Sequence, residues 1–311
     1  MHIFETWSDI PDAAKGTSLA LGAFDGLHLG HVAVLRAAQA AYPEAQLAIG
    51  AFEPPPKCYF AAKASPTLRL HTPRLRACRA AELGAQIMFT IPFDALMAAM
   101  SAEDFIKNVL ADGLHPRHVA VGHDFRFGHD RCGDGAMLTQ MGNQLGFGVT
   151  ILEPVLDQNG LRYSSTRVRE SIKTGNLALA TTLLGQEWRV EGLVIHGEKR
   201  GRTIGFPTAN FHLESQLAPR FGVYAVRARI MGRGEWYGGV ANFGRTPTTG
   251  LREPLFEVHI FDFDGDLYGK CLEVGLHAFL RPELTFTSFD NLVTQIRRDA
   301  QEAAEILSKV T

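Results

Sequence analysis

The chain has 311 residues, 46% hydrophobic and 21% charged, with a formal net charge of -2, which is enough material for two domains of ordinary size with real cores. That balance gives no global attraction to nucleic acid or to an anionic membrane surface. No apolar run approaches the ~20 residues that cross a bilayer, and Met1–Pro11 lacks the cationic-then-apolar pattern of a signal peptide.

The first half alternates strand and helix patterns. Ser18–Phe24 is a small, apolar run that ends in a glycine-rich turn, and His31–Ala41 follows with Val32, Leu35 and Ala38 at helical spacing. Strands are predicted at Gln46–Phe52, Gln86–Phe93, His118–Phe125 and Gly148–Val155. Ser101 and Asp104 read as a capping box opening a helix over Ala102–Leu110. This alternation predicts a parallel sheet covered on both faces, with ligands beyond the carboxyl ends of its strands.

The texture changes near Gly185–Trp188, which sets the expected domains at 1–185 and 186–311. Strands are predicted at Arg189–His196, Thr208–His212, Gly222–Ile230, Glu235–Asn242, Leu255–Phe263 and Cys271–Phe279, separated by turns such as Gly232–Gly234 and Asp264–Gly265. Many short strands predict a small antiparallel barrel. A last helix, capped by Ser288, carries an apolar stripe of Leu292, Ile296, Ala300, Ala303 and Leu307. The cysteines, Cys58, Cys78, Cys132 and Cys271, form no C-x-x-C and read as free thiols of a reducing cytoplasm, with no zinc site.

Four segments carry chemistry. In the turn Gly22-Ala-Phe24-Asp25-Gly26-Leu-His28-Leu-Gly30-His31, the glycines let backbone N–H groups approach an anion. His28 and His31 fall on one face at a helix start, where two imidazoles can donate to a phosphate that gains charge in the transition state. Taken alone, two surface histidines beside a tight turn fit equally well. Ser164, Ser165 and Thr166, with Arg169 one turn on, form a second candidate anion site; an ordinary Ser/Thr cap on a basic helix is the plainer reading. Downstream, the basic loop containing Gly197, Lys199, Gly201 and Arg202 leads into Gly205-Phe-Pro207-Thr208-Ala-Asn210. It is one residue too short for a P-loop and has Arg where Lys belongs. Thr208 and Asn210 lie on one side of an extended segment and are hard oxygen ligands suited to Mg²⁺; a polar edge strand after a Pro turn is the bland alternative. Period two puts Glu257 and His259 opposite Phe256, Val258 and Ile260, so Glu257 is either a general base in a cleft or a solvated strand carboxylate.

Together these residues resemble a known family. The H-x-G-H turn with Ser164-Ser165-Thr166-x-x-Arg169 is similar to the nucleotidyltransferase superfamily of α/β enzymes. Gly122–Asp134, with Asp124, Phe125 and Arg126, resembles the flavin-side signature of bacterial FMN adenylyltransferases. Gly201–Asn210, Phe256–His259, Asp262–Gly269 and Leu280-Arg281-Pro-Glu283 resemble riboflavin kinase. The two likenesses cover almost the whole chain, in the order found in bacterial bifunctional riboflavin kinase/FMN adenylyltransferases.

The resemblance implies a Rossmann-like parallel sheet followed by a small antiparallel barrel with a terminal helix. It also implies ATP as co-substrate, Mg²⁺ as cofactor, riboflavin as substrate and FMN and FAD as products, with neither nucleic acid nor membrane as partner. By this likeness Gly22, Phe24, Asp25, His28, His31, Ser164, Ser165, Thr166 and Arg169 serve the ATP of the adenylyl transfer. Thr208 and Asn210 ligate Mg²⁺, Glu257 takes the proton of the riboflavin 5′-hydroxyl, and Gly197–Arg202 with Gly205 and Pro207 covers the kinase nucleotide. Asp124, Phe125, Arg126 and Arg281 lie on the flavin side. Two stretches depart from the family: Ala51-Phe-Glu-Pro-Pro-Pro56 lacks a usual Thr and His/Gln, and Gly244-Arg-Thr-Pro-Thr248 displaces an Arg by one residue. Both activities are expected to survive, since the central motifs of each half are intact.

Overall fold

The computed structural model describes residues 1–61, 69–197, 201, 204–213, 215–244 and 254–309. The chain divides into two compact units, Met1–Pro66 with Pro73–Ser165, and Thr67–Thr72 with Thr166–Thr311.

The first unit is built on strands β1 (His2–Phe4), β2 (Ser18–Gly22), β3 (Leu47–Glu53), β4 (Ile87–Pro92), β5 (His118–Gly122) and β6 (Gly148–Leu152). They form one sheet in the order β1-β4-β3-β2-β5-β6, with every pairing parallel. Its helices are α1 (Leu29–Ala41), α2 (Pro56–Ala61), α3 (Pro73–Glu82), α4 (Ala95–Ala99), α5 (Ala102–Asp104), a π-helix over Phe105–Leu114, and α6 (Gly135–Leu145). Strand alternation sorts the core into two layers. Ala20, Ile49, Ala51, Met88 and Ala120 pack with Leu35 and Ala38 of α1 and Ala77 and Ala80 of α3. Leu19, Leu21, Phe89, Val119 and Val121 pack with Phe105, Ile106, Val109 and Leu110. Strands buried on both faces read as continuous apolar runs, as these do.

Two local departures from the sequence expectation stand out. Strand β1 was not foreseen: three residues, two of them exposed, carry no readable period. The helix after Ser101 keeps its cap, with Ser101 Oγ accepting from Asp104 N at 3.0 Å. Past Asp104 it widens into the π-helix and runs on to Leu114, where His115 takes a left-handed φ of 47°. The five buried side chains on that stretch, Phe105, Ile106, Val109, Leu110 and Leu114, recur at intervals of four and five residues, which the wider i→i+5 turn gathers onto one face.

The second unit contains α7 (Ser165–Thr174), α8 (Leu177–Leu184), β7 (Trp188–Leu193), β8 (Ala209–His212), β9 (Gly222–Ile230), β10 (Tyr237–Gly244), β11 (Leu255–Ile260), β12 (Cys271–Arg281) and α9 (Phe289–Leu307). The six strands form an antiparallel sheet in the order β7-β12-β9-β10-β11-β8. Beyond β7, Ile195 N donates to Asn210 O at 2.8 Å, which links the two edge strands and closes the barrel. Phe211, Phe243 and Phe256 stack inside it, at centroid distances of 5.3 and 4.7 Å from Phe256. Outside, α9 lays Ala303 on Val223, Ala225 and Val240. Ser288 Oγ accepts from Asn291 N at 3.2 Å, as a helix cap should. The fully buried Trp188 donates its indole N–H to Leu70 O at 2.9 Å, so the sequence-distant Thr67–Thr72 belongs to this unit.

Candidate active sites

In the parallel sheet the order reverses at β2, which has β3 on one side and β5 on the other. Such a switch point opens a crevice at the carboxyl ends of the strands. The turn after Gly22 enters that position. Phe24 (φ 47°), Gly26 (φ 88°) and Leu27 (φ 45°) all take left-handed conformations, a strained path for non-glycine residues. It is held because the Phe24 and Leu27 side chains are anchored in the core, each at most 1% exposed. Asp25 is also buried, and its carbonyl accepts from Ser165 Oγ at 2.8 Å.

His28 is the N-cap of α1, with Nδ1 accepting from His31 N at 3.3 Å. With Nδ1 committed as acceptor, the neutral ring carries its proton on Nε2. The His28 and His31 rings stack at 3.7 Å between centroids and 17° between planes, and His31 meets the edge of Phe24 at 5.2 Å. Gly30 is the only residue size that leaves this stack undisturbed: a Cβ there would lie 3.0 Å from His28 Cε1 and 3.3 Å from Tyr163 Cβ. The geometry is two imidazoles at a helix N-terminus, where free N–H groups and the dipole favour an anion.

From the neighbouring β5, the chain passes Gly122 to Asp124, exposed, whose Oδ2 lies 3.9 Å from Arg162 Nη2. Phe125 stacks on the buried Phe127 at 5.5 Å, and the exposed Arg126 folds back onto Phe125 O at 2.9 Å. Strand β5 ends at Gly122, so these aromatics belong to a loop and not, as expected, to a strand. At the end of β3, the Ala51–Pro56 departure leaves Ala51 fully buried, and the Glu53 carboxylate pairs with the buried Arg76 at 2.7 Å. Thr166 and the buried Arg169 lie on α7 in the second unit.

In the barrel, β11 runs between β10 and β8. Its Glu257 is the direct cross-strand partner of Asn242 on one side and Asn210 on the other. Paired residues share a face, so the three polar side chains form one row on the outside of the barrel. Phe256, Val258 and Ile260 are buried and Glu257 and His259 half-buried, the alternation read from the sequence. Asn210 is 6% exposed, and its Nδ2 donates to Thr208 O at 3.3 Å, which orients the amide and fixes which end is Oδ1. A Cβ at Gly197 would overlap the Asn210 amide, so glycine is what lets the backbone at this position lie against that side chain. Nδ1 of His259 donates to Pro207 O at 2.9 Å and thereby fixes the chain just before Thr208. Gly205 takes a φ of 82°, within the turn closed by Phe206 N donating to Gly201 O at 2.8 Å. Lys199 and Arg202 lie outside the described residues, as do residues 245–248 of the second departure. Arg281 is committed to Asp299, with three contacts of 2.6 to 3.1 Å. Among the described residues, no group of three or more His, Cys, Asp or Glu is placed to hold a metal.

The chain thus joins an α/β unit, with two stacked imidazoles at a helix start beyond its sheet, to a barrel carrying an Asn–Glu–Asn row. The family model described as FAD synthetase matches residues 10–167, and that described as riboflavin kinase matches residues 184–307. The bifunctional riboflavin kinase/FMN adenylyltransferase of Escherichia coli (strain K12) is 42% identical, covering 94% of this chain and 93% of its own length. That of Haemophilus influenzae is 41% identical, covering 93% and 94%. A solved structure described as a macrolide-efflux protein from Streptococcus pneumoniae is 31% identical and superposes with a TM-score of 0.80 over 96% of each chain. The chain belongs to the bifunctional riboflavin kinase/FMN adenylyltransferase family.

Proposed function

We propose that the two halves divide the family's two reactions, with 186–311 converting riboflavin to FMN and 1–185 converting FMN to FAD, each at the expense of ATP. The placement of Glu257 directly opposite Asn210 carries the kinase assignment. Glu257 accepts the proton of the riboflavin 5′-hydroxyl as that oxygen attacks the γ-phosphorus. The oxygens of Thr208 and Asn210 suit Mg²⁺, which when bound offsets the negative charge of the ATP phosphates. Gly197, Gly201, Gly205 and Pro207 shape the cover over the nucleotide. No covalent intermediate is needed, since positioning and charge neutralisation suffice.

In the other half, the FMN phosphate attacks the α-phosphorus of ATP and pyrophosphate leaves. His28, through Nε2–H, and His31 donate to the α-phosphate as its charge grows. The Gly22–Gly26 turn, with Phe24 and Asp25, brings backbone N–H groups to the phosphates, and Ser164 and Ser165 hold the departing ones. Asp124 sits at the flavin or adenine end. Free cysteines and the absence of a long apolar helix among the described residues favour the cytoplasm as the compartment.

The test is a chromatographic time course of FMN and FAD from riboflavin and Mg-ATP. Wild type forms FMN first and FAD after it. Glu257→Ala stops FMN formation while still converting added FMN to FAD. If Glu257→Ala makes FMN at the wild-type rate, the kinase assignment is wrong.

A further inference from the structure

The kinase reading uses Asn210 and Glu257 but leaves two polar groups on the same face without a task. Asn242 is the third member of the row, one strand spacing of about 4.8 Å from Glu257 on the side away from Asn210. Past Asn242 the row turns apolar: its partner on β9, Val223, is 6% exposed and packs under α9. The polar strip therefore ends at Asn242.

The second group arrives from another element. Two residues along β10, Gly244 shares the face of Asn242 by strand alternation. A Cβ at Gly244 would overlap Glu283 Oε1, so the Glu283 carboxyl is seated on the Cα of Gly244, on the face that carries Asn242 two residues earlier. Its pKa lies above the ordinary carboxylate range because this seat removes part of its hydration. The backbone that carries it is held in place two residues earlier, where Arg281 grips the buried Asp299 of α9.

We infer that Asn242 and Glu283 form the subsite for the hydroxyls of the ribityl chain, and so select a polyol-bearing flavin over one with a plain alkyl chain. This rests on Glu257 being the base. If the 5′-hydroxyl lies at Glu257 and the ATP phosphates on the Asn210 side, the rest of the chain must leave toward Asn242. A carboxamide both donates and accepts, and a carboxylate accepts, which together match adjacent hydroxyls that do both. A site that hydrogen-bonds hydroxyls discriminates against substrates lacking them, because its own polar groups then stay unpaired.

The experiment compares riboflavin with a flavin carrying a 5-hydroxypentyl chain, which keeps the reacting hydroxyl and lacks the others. Wild type, Asn242→Ala, Glu283→Gln and Gly244→Ala are assayed with both, at saturating Mg-ATP. Each variant is expected to lose about tenfold in kcat/KM for riboflavin, the scale of one hydrogen bond, with KM for ATP unchanged and less than twofold change toward the alkyl flavin. Gly244→Ala should act by displacing Glu283, so adding Glu283→Gln to it has no further effect. Equal losses on both flavins, or a loss that falls on KM for ATP, overturn the inference. Glu283 is exposed in its loop, so its variant tests the idea even if Asn242→Ala folds poorly. Glu257→Ala run alongside separates the two levels: if it retains FMN formation, the kinase reading itself fails. If it loses FMN formation while Asn242→Ala and Glu283→Gln behave as wild type, only the ribityl subsite falls.

Discussion

His28 shows how one backbone hydrogen bond can decide what a side chain is able to do. Because Nδ1 accepts from His31 N, the neutral ring carries its proton on Nε2, the nitrogen that the proposed adenylyl transfer uses as donor. Removing such a donor from a developing oxyanion typically costs about 10²- to 10³-fold in rate. His28→Ala should therefore lose that much in FMN-to-FAD turnover while riboflavin phosphorylation stays at the wild-type rate. Gly30→Ala is the sharper probe. Its Cβ, 3.0 Å from His28 Cε1, would tilt the stacked pair without deleting either ring, and misplacement by a fraction of an ångström should cost about tenfold. Both effects are read from FAD formed from supplied FMN, and an unchanged rate in Gly30→Ala would show that the stack has no bearing on transfer. These residues were legible in the sequence because their geometry is local: a cap and the residue three positions on. Asn242 was not, since strand register alone brings it beside Glu257; Glu283 was read only as part of the riboflavin kinase likeness, and its seat on Gly244, 39 residues earlier, left no sequence trace.

The same contrast holds for whole elements. Strands β2 to β6 were readable as apolar runs because both faces are buried, and the barrel strands as short alternating segments between turns. Their carboxyl ends were overrun by up to three residues where the apolar run outlasts the ladder, as at Phe125 and Val155. The link between Arg281 and Asp299 joins a strand to a helix, and a bidentate pair of that kind leaves no periodic trace. Strand β5 carries a pH-dependent consequence at its first residue. His118 is 7% exposed, with Nε2 2.9 Å from Thr150 Oγ1, and burial pushes its pKa below the usual 6.5. In the folded chain the ring then stays neutral where the unfolded chain would already bind a proton, so stability is full above about pH 6.5 and falls as the pH drops through that value toward the lower folded pKa. His118→Gln, which keeps a polar group but cannot titrate, should show a shallower decline in Tm between pH 7 and pH 5 than wild type. Parallel declines in the two proteins would remove His118 as a source of acid lability.

At the scale of the molecule, what matters is that every residue assigned to phosphorylating riboflavin lies in the second compact unit, while His28, His31 and Asp124 lie in the first. A barrel closed by its own strands, with a row of three polar partners spanning β8, β11 and β10, draws no residue of that row from the parallel sheet. The kinase reaction should then tolerate any lesion confined to the H-x-G-H turn, and its product should leave in a form the other site can take up from solution. Mixing His28→Ala protein with Glu257→Ala protein, each unable to carry riboflavin through to FAD alone, should restore FAD synthesis in one tube. FMN made by the first variant must accumulate before the second can use it. FAD should therefore appear after a lag that lengthens as the mixture is diluted, and adding FMN at the start should abolish the lag. Failure of the mixture to make FAD, with each variant active in its own half-reaction, would mean that FMN passes between sites of a single chain without release. The order of the two reactions would stand, but the independence of the two units would not.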